Sequence, residues 1–379
     1  MKREVRRLAS RKMYLCAMVL VPVFISVFFL SILHEGLPEH VPTAVVDLDH
    51  SAMSRSVTRS LKALSLIDIC EECDSYETAL EEVRKGHIFG FFVIPLNMER
   101  DAFAGHTPTL DYYTNMTYFV PGSLSFKGFK TVAVATSGGV VKETLQSLGM
   151  PTGEANKLVQ PLSVDQYLLN NPTMSYAVYL CPSFTFCTFM LMILLITAFS
   201  ITMEIKYGSS VEWLRCAKGR MSVALLSKLL PQTAIFFSVG LFLLYLLFGY
   251  SYFPLNGSLG WLIVATFLTV VATQSFAVFV CSVLPNPRLA ISVCSLFGIL
   301  SFSLAGFSFP VQSMYGYLAV FSHILPIRYW FLIYVNEALN GVALYYSRIY
   351  FAILLMFPLV GSAMLWKLRR ACLNPVYVP

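Results

Sequence analysis

The stretch that decides the fold is Ser175–Met203, SYAVYLCPSFTFCTFMLMILLITAFSITM, which carries no formal charge. It lies within a run of 38 uncharged residues between Asp165 and Glu204. A helix that crosses a membrane needs about 20 mostly apolar residues. Because this stretch is longer than that, it predicts one tilted membrane span.

The composition of the whole chain agrees with a membrane protein. Of its 379 residues, 56% are hydrophobic and 13% are charged, whereas soluble domains carry roughly 25% charged residues. This composition excludes a disordered chain, a coiled coil and an ordinary soluble enzyme. The basic residues flank apolar runs instead of forming one patch, so they do not indicate nucleic-acid binding.

Other uncharged runs predict five further spans. The run at 13–33 follows a basic head and is too long for a secretory signal core. It also lacks a cleavage site, which favours an uncleaved anchor. Between Lys228 and Arg288 lie 59 uncharged residues. That is about 88 Å of helix at ~1.5 Å per residue, against a hydrocarbon core of ~30 Å. This run must therefore turn back, and Phe253–Ser258 is its strong turn cluster.

After a span that follows Arg288, an apolar remainder is broken by Pro310, Gly316 and Pro326. Such a segment is too broken to span the membrane and too apolar for a free loop, so a re-entrant or interfacial hairpin is predicted. The predicted segments are a head at 1–12, spans at 13–33, 175–203, 223–250, 259–284, 288–308 and 347–366, a domain at 34–174, a loop at 204–222, the hairpin at 309–346 and a tail at 367–379.

The charge distribution predicts the orientation. Residues 34–174 hold ten Lys/Arg and seventeen Asp/Glu, whereas the rest of the chain holds seventeen and four. With both termini inside, the short outer segments carry only Arg328 and Arg348, as the positive-inside rule requires. We therefore expect an α-helical membrane protein with six spans and both termini in the cytoplasm. Its domain at 34–174 would be extracytoplasmic.

This outer domain is predicted to be a small α/β unit with some parallel strand pairing. Helical patterns at Ser51–Leu64 and Tyr76–Lys85 alternate with short apolar runs, and Ser75 and Gly86 are the expected ends of the second helix. Another helix is expected at Leu124–Leu148. Asp47 and Asp49 follow the first strand and are interpreted as turn and cap residues, with a metal or acid pair as the alternative.

Cys70 and Cys73 form a Cys-x-x-Cys pattern in this domain. A disulfide or two plain thiols is the favoured interpretation, because a structural zinc needs four ligands and a thioredoxin-type motif opens a helix. Neither the phosphate loop Gly-x4-Gly-Lys-Ser/Thr nor the metalloprotease and hydrolase motifs occur in the sequence. We therefore predict no enzyme activity, no bound metal and no cofactor in this chain.

If this chain is part of a pump, the energy is expected from another subunit. Ion-coupled carriers usually keep ionisable groups at mid-membrane, whereas most of these spans are uncharged, and Lys228 is expected to snorkel to the surface. The loop at 204–222 contains a predicted short helix with Ser209 or Ser210 as its cap and Glu212 in its first turn. Its apolar stripe of Val211, Leu214 and Ala217 would dock a partner or lie on lipid headgroups.

Several motifs resemble ABC-2 type exporter permeases, specifically those with a large outer domain between the first two spans. The motifs are Val45-Val46-Asp47-Leu48-Asp49-x-Ser51, Tyr76-x-x-Ala79-x-x-x-Val83-x-x-Gly86-x-Ile88-x-Gly90-x-x-Val93-Ile94-Pro95, Asn171-Pro172-x-x-x-Tyr176, Glu204-x-Lys206-x-Gly208-Ser209, Glu212-Trp213-Leu214, Leu226-Ser227-Lys228 and Gly306-Phe307-Ser308-Phe309-Pro310 with Met314, Pro326 and Tyr329. One departure is Ser227, where such permeases commonly have glycine.

The resemblance implies an export path formed with a second permease, identical or paralogous, in a bacterial inner membrane. A separate cytoplasmic ATPase that binds ATP and Mg²⁺ would drive it, and a periplasmic adaptor and outer-membrane channel are further expected partners. The residues implied in ATPase coupling are Glu204, Lys206, Gly208, Ser209, Glu212 and Leu214. Those implied in an outer re-entrant element are Gly306, Phe309, Pro310 and Pro326. A secondary carrier and a membrane-anchored receptor are the alternatives.

Overall fold

The computed structural model describes residues 2–34, 36, 39–104, 106, 108–147, 149–159, 170–171, 175–307 and 309–374. The chain divides into two compact units. The helical unit comprises Met1–Gly36 and Leu168–Pro379, and the sheet unit comprises Leu37–Tyr167. Pro172 and Ser308 of the resemblance motifs lie outside the described residues.

The described helices and strands are numbered here in chain order, and helices that continue through a π-helical turn, or in α15 through a single turn residue at Met364, count as one. The helices are α1 (Lys2–Ser10), α2 (Lys12–Ile32), α3 (Ala52–Lys62), α4 (Tyr76–Lys85), α5 (Met98–Phe103), α6 (Phe119–Ser147), α7 (Thr152–Val159), α8 (Tyr176–Lys206), α9 (Ser210–Cys216), α10 (Met221–Tyr250), α11 (Leu259–Val283), α12 (Pro287–Leu304), α13 (Gly316–Ser322), α14 (Pro326–Leu339) and α15 (Leu344–Leu373). The strands are β1 (Val41–Asp47), β2 (Ile67–Cys73), β3 (Gly90–Ile94) and β4 (Asp111–Thr114).

Six of the described helices are long and apolar enough to cross a membrane, namely α2, α8, α10, α11, α12 and α15. The chain is therefore a multi-pass membrane protein. Central in the helical unit is α8, which packs against α2, α11 and α12. Its 31 residues span about 46 Å at ~1.5 Å per residue, more than a ~30 Å hydrocarbon core. α8 is therefore longer than the hydrocarbon core is thick.

Several helix ends differ from the prediction, among them those of the second, fifth and sixth spans. The sixth span was predicted at 347–366, but α15 runs from Leu344 to Leu373. Glu204 and Lys206 were placed in a loop, but they belong to the last turn of α8, because the helix ends only where Gly208 adopts a left-handed conformation with φ +68°. The fifth span was predicted to reach residue 308, but α12 ends at Leu304, and Gly306 has φ +100°. A hydropathy pattern cannot predict the ends of α8 and α12, because both are set by the backbone conformation of a glycine.

The predicted hairpin region contains α13 and α14, which meet at an angle of 84°. Pro326 is the first residue of α14, where its missing N–H leaves no helix hydrogen bond unmade.

At the same end of the helical unit, six exposed tyrosines lie in or beside the loops: Tyr250, Tyr252, Tyr315, Tyr317, Tyr345 and Tyr346. Such residues are typical of the boundary between a membrane and water.

The sheet unit has strand order β2-β1-β3-β4, with β1 parallel to both β2 and β3 and with β4 antiparallel to β3. Side chains of β1 alternate between its two faces. Val45 packs with Val57 and Leu61 of α3 on one face, and Val46 packs with Ala79 of α4 on the other. The predicted parallel pairing is confirmed.

The predicted limits of α4 hold, whereas α6 begins at Phe119, five residues before the predicted Leu124. Ser75 caps α4 with a capping box, and Gly86 ends it in a left-handed conformation with φ +79°.

Asp47 accepts hydrogen bonds from the backbone N–H groups of Asp49 and His50, each at 3.0 Å. Asp49 accepts one from the Glu99 N–H at 3.2 Å. The interpretation of both aspartates as turn and cap residues is confirmed.

Candidate coupling site

A cluster of charged side chains lies where α8 ends and α10 begins. We call it the ion cluster, and it consists of Arg3, Glu4, Arg7, Glu204 and Lys228. Glu204 is 0% exposed and Lys228 is 1% exposed. In the centre of the cluster, the Lys228 Nζ atom lies 2.8 Å from Glu4 Oε2 and 2.9 Å from Glu204 Oε1.

Helix α1 supplies the rest of the cluster. Arg3 and Arg7 are four residues apart and therefore share one face of α1. Arg7 pairs with Glu204, and Arg3 Nη2 lies 3.4 Å from Glu204 Oε2. Glu204 stands at the C-terminal end of α8, where the helix dipole disfavours an anion. Arg3, Arg7 and Lys228 offset that effect.

The sequence-based interpretation missed this cluster. Lys228 was expected to snorkel to the surface, but its ammonium is buried between two carboxylates, because α1 covers that end of α10. Two unusual residues in the sequence could have indicated the cluster. Lys228 is the only charge in its apolar run, and Glu4 is the only acid in the basic head. Neither residue indicates its partner, since 224 residues separate the two.

Helix α9 connects to the cluster through its buried face. Ser209 precedes α9 but does not cap it, because its hydroxyl donates to the Glu204 carboxylate instead. The ring of Trp213 lies 4.9 Å from Lys228 Nζ, a distance at which an ammonium is attracted to an indole. Ser210 donates to the Cys372 carbonyl of α15 at 2.8 Å. The buried face of α9 thus contacts α8, α10 and α15.

The predicted apolar stripe of α9 needs one correction. The structure buries Trp213 with Leu214 and Ala217, whereas Val211 is only half-buried. Helical spacing predicts that Val211 faces inward, but the residue on the buried side that lies against Lys228 is Trp213. Glu212 and Arg215 lie on the exposed face, and Lys206 is exposed at the end of α8.

The other predicted site lies at the far end of the helical unit. Gly306 follows α12, and a Cβ there would lie 2.7 Å from Arg328 Nη1 of α14. Phe309 is 51% exposed, and Pro310 precedes a short 3-10 turn at Val311–Ser313. Pro326, by contrast, is buried at the start of α14. Gly306 is therefore in contact with α14, and Phe309 points outward.

A scan against protein families finds that the model of the ABC-2 family transporter protein matches residues 12–366. The chain belongs to the ABC-2 transporter family. No curated protein and no solved structure gave a significant match. The match covers all six candidate spans of this ABC-2 permease apart from the end of α15, and it includes the residues of both predicted sites.

The candidate disulfide of this permease is not formed. Cys70 and Cys73 are both free thiols. They lie three residues apart on the extended strand β2, which separates their Cα atoms by about 10 Å, beyond the ~7 Å limit for a disulfide. The pairing of β2 with β1 also skips Cys70, so Cys70 is exposed whereas Cys73 faces the sheet core.

Both thiols are expected to react slowly at neutral pH. Partial burial raises the pKa of Cys70, and the nearby Asp68 carboxylate raises it further. Burial and Glu71 act in the same direction on the pKa of Cys73. Since only the thiolate reacts, maleimide labelling of Cys70 should accelerate steadily as the pH rises from 7 to 9. A labelling rate that is independent of pH between 7 and 9 would contradict this, and dithiothreitol should leave the melting temperature unchanged.

Proposed function

We propose that this permease forms half of an export path and is driven by a separate cytoplasmic ATPase that contacts α9. The observation that carries the proposal is the ion cluster, since it ties α9 to the long helices α8 and α10 and to α1. ATP and Mg²⁺ would bind in the ATPase, and the path would be completed by a second permease, identical or paralogous. A periplasmic adaptor would be an additional partner.

The two faces of α9 support a role as a lever. Its buried face is held by Trp213, Leu214 and the Ser210 hydrogen bond, so the helix is fixed to the membrane helices. Its exposed face presents Glu212 and Arg215. A partner that binds this face in one of two positions would displace α8 and α10 together, and its binding energy would shift the permease between two states.

The double charge reversal E212R/R215E tests this contact. It should reduce co-purification of the ATPase by at least tenfold while the permease still inserts and folds, because both side chains are exposed and surface substitutions cost about 0.5 kcal/mol or less. The matched control is E77R/R84E on the exposed face of α4. Undiminished ATPase binding by E212R/R215E, or transport that survives ATP depletion, would contradict the proposal.

We further propose that α9 faces the cytoplasm and that the sheet unit lies on the other side of the membrane. The basic residues of the head, the α9 loop and the tail support this orientation. Two native exposed cysteines test it: Cys70 in the sheet unit and Cys216 in α9. At pH 9, an impermeant maleimide should label the variant C16A/C216A in intact cells. The variant C16A/C70A should be labelled only after permeabilisation, and the reverse pattern would overturn the orientation.

A further inference from the structure

Arg328 is a buried arginine in the first turn of α14, with a side chain that is 8% exposed. Its Nη1 atom donates to the Ala305 carbonyl at 3.2 Å. The adjacent Gly306 has φ +100°, and any Cβ there would lie 2.7 Å from the same nitrogen. The guanidinium therefore occupies a space that only glycine leaves open.

Arg328 has no acidic partner among the residues that the structure describes. The only hydrogen bond of its side chain to a described residue is the one to Ala305, and none of the ion pairs in the described part of the chain includes it. A buried charge is stable only when another group compensates it. Ionisable residues within a membrane protein that lack such a group are functional candidates by default.

The geometry shows which part of the guanidinium is available. Hydrogen bonding to Ala305 occupies Nη1, whereas Nε is buried and has no partner in the described structure. The Nε–H and one Nη2–H group point in parallel along the opposite edge. This edge is the one that binds two oxygens of a carboxylate or phosphate. The hydrogen bond to the Ala305 carbonyl at the end of α12 explains the position of Nη1. It does not explain why Nε is buried without a partner.

Aromatic rings extend from this position into the helical unit. Phe331 lies three residues after Arg328, on the same side of α14. Its ring centroid is 5.5 Å from that of Phe307, which is 6.1 Å from Phe184. Phe184 in turn stacks on Phe29 of α2 at 4.8 Å. Phe331, Phe184 and Phe29 are half-buried and Phe307 is buried between them, so the row presents an apolar surface beside a fixed positive charge.

We propose that Arg328 binds the anionic headgroup of an amphiphile whose apolar tail lies along Phe331, Phe307 and Phe184. The headgroup would be a phosphate or a carboxylate. Its source would be either a resident membrane lipid or a passenger on the export path. The binding itself is independent of the proposed ATPase partnership, and only its assignment to a passenger rests on the proposed function.

Competition between two lipids with identical tails tests the site. The full-length permease, purified in a neutral maltoside detergent, is mixed with equal amounts of dioleoylphosphatidylglycerol and dioleoylphosphatidylcholine, and retained lipid is counted by native mass spectrometry. The wild type should retain the anionic lipid about tenfold over the zwitterionic one. R348Q is the matched control, because Arg348 is the exposed arginine at the start of α15 and lies over the Tyr345 ring.

R348Q should keep the wild-type ratio, whereas in R328Q the ratio should fall to about one. R328K should lie between them, because an ammonium keeps the charge but not the two-pronged edge. A wild type without preference, or R328Q with an unchanged ratio, overturns the proposal. If R328Q does not purify as a folded protein, R328K decides, and a ratio equal to that of the wild type then counts against the site.

A second measurement identifies the source of the headgroup. The complex with its ATPase is placed in phosphatidylcholine nanodiscs, and dodecyl phosphate is added. Stimulation of ATP hydrolysis in the wild type but not in R328Q indicates a passenger. Anionic lipid binding without such stimulation indicates a resident lipid, and either result supports the site. Because the lipid competition needs no ATPase, failure of the proposed function would leave its result intact.

Discussion

Replacing Glu204 with glutamine is expected to reduce ATP hydrolysis by the assembled complex to the level of the isolated ATPase subunit. Glutamine keeps the shape of the side chain but removes the negative charge on which Arg3, Arg7 and Lys228 converge. Those three cations would then share only Glu4. Removing one partner of a buried pair costs about 3–5 kcal/mol, so α1 and Trp213 should lose their fixed positions beside α8.

The measurement is the ATPase rate of the purified complex, with membrane insertion and the melting temperature of the permease recorded in parallel. The control is Glu77→Gln, which removes the same charge from the exposed face of α4. It should leave the melting temperature unchanged, because no described contact involves that carboxylate. If Glu204→Gln stimulates the ATPase as well as the wild type does, the ion cluster has no coupling role.

A double-mutant cycle separates coupling from simple loss of stability. Lys228→Met alone leaves Glu4 and Glu204 facing each other, whereas the double variant E204Q/K228M removes one charge of each sign from the cluster. Buried pairs replaced on both sides are often neutral in stability, so the double variant should recover part of the stability that each single variant loses. ATPase stimulation should stay low in the double variant. If ATPase stimulation recovers in the double variant together with stability, the ion cluster has a purely structural role.

The second large effect is expected from Gly306→Ala. An alanine at φ +100° is strained, and its Cβ would lie 2.7 Å from Arg328 Nη1 and 2.9 Å from Val311. Strain of this kind costs of order 1–3 kcal/mol, and displacement of a buried guanidinium from its carbonyl adds about 1.5–3 kcal/mol. The variant should melt several degrees below the wild type and should lose the lipid preference assigned to Arg328.

Gly316→Ala is the matched control for this prediction. Gly316 begins α13 in the same hairpin, its φ is not positive, and no heavy atom lies within 4 Å of the added Cβ. Alanine there should leave the melting temperature unchanged or raise it slightly, because it restricts the unfolded chain. Thermal unfolding of both variants in the same detergent gives the comparison, and equal melting temperatures would show that Gly306 is not required for the hairpin.

Much of the architecture could be predicted from local patterns. The uncharged run at Ser175–Met203 corresponds to the central helix α8, which extends only three residues further. Ser75 and Gly86 mark the ends of α4 because capping and left-handed turns depend on neighbouring residues alone. The alternation of side chains along β1 likewise predicts two faces. Each of these features depends on interactions between residues that are close together in the chain. Such features can therefore be predicted from the sequence alone.

The two candidate sites were decided by tertiary structure. Glu4 and Lys228 are 224 residues apart, and only the packing of α1 against α10 brings them to 2.8 Å. The same holds for Gly306 and Arg328, whose contact depends on the turn that follows α12 and on the position of α14. Hydropathy identifies which residues enter the membrane, because transfer from water depends on each side chain. Pairing of buried charges depends on distance in space. It can therefore be identified only from the tertiary arrangement of the helices.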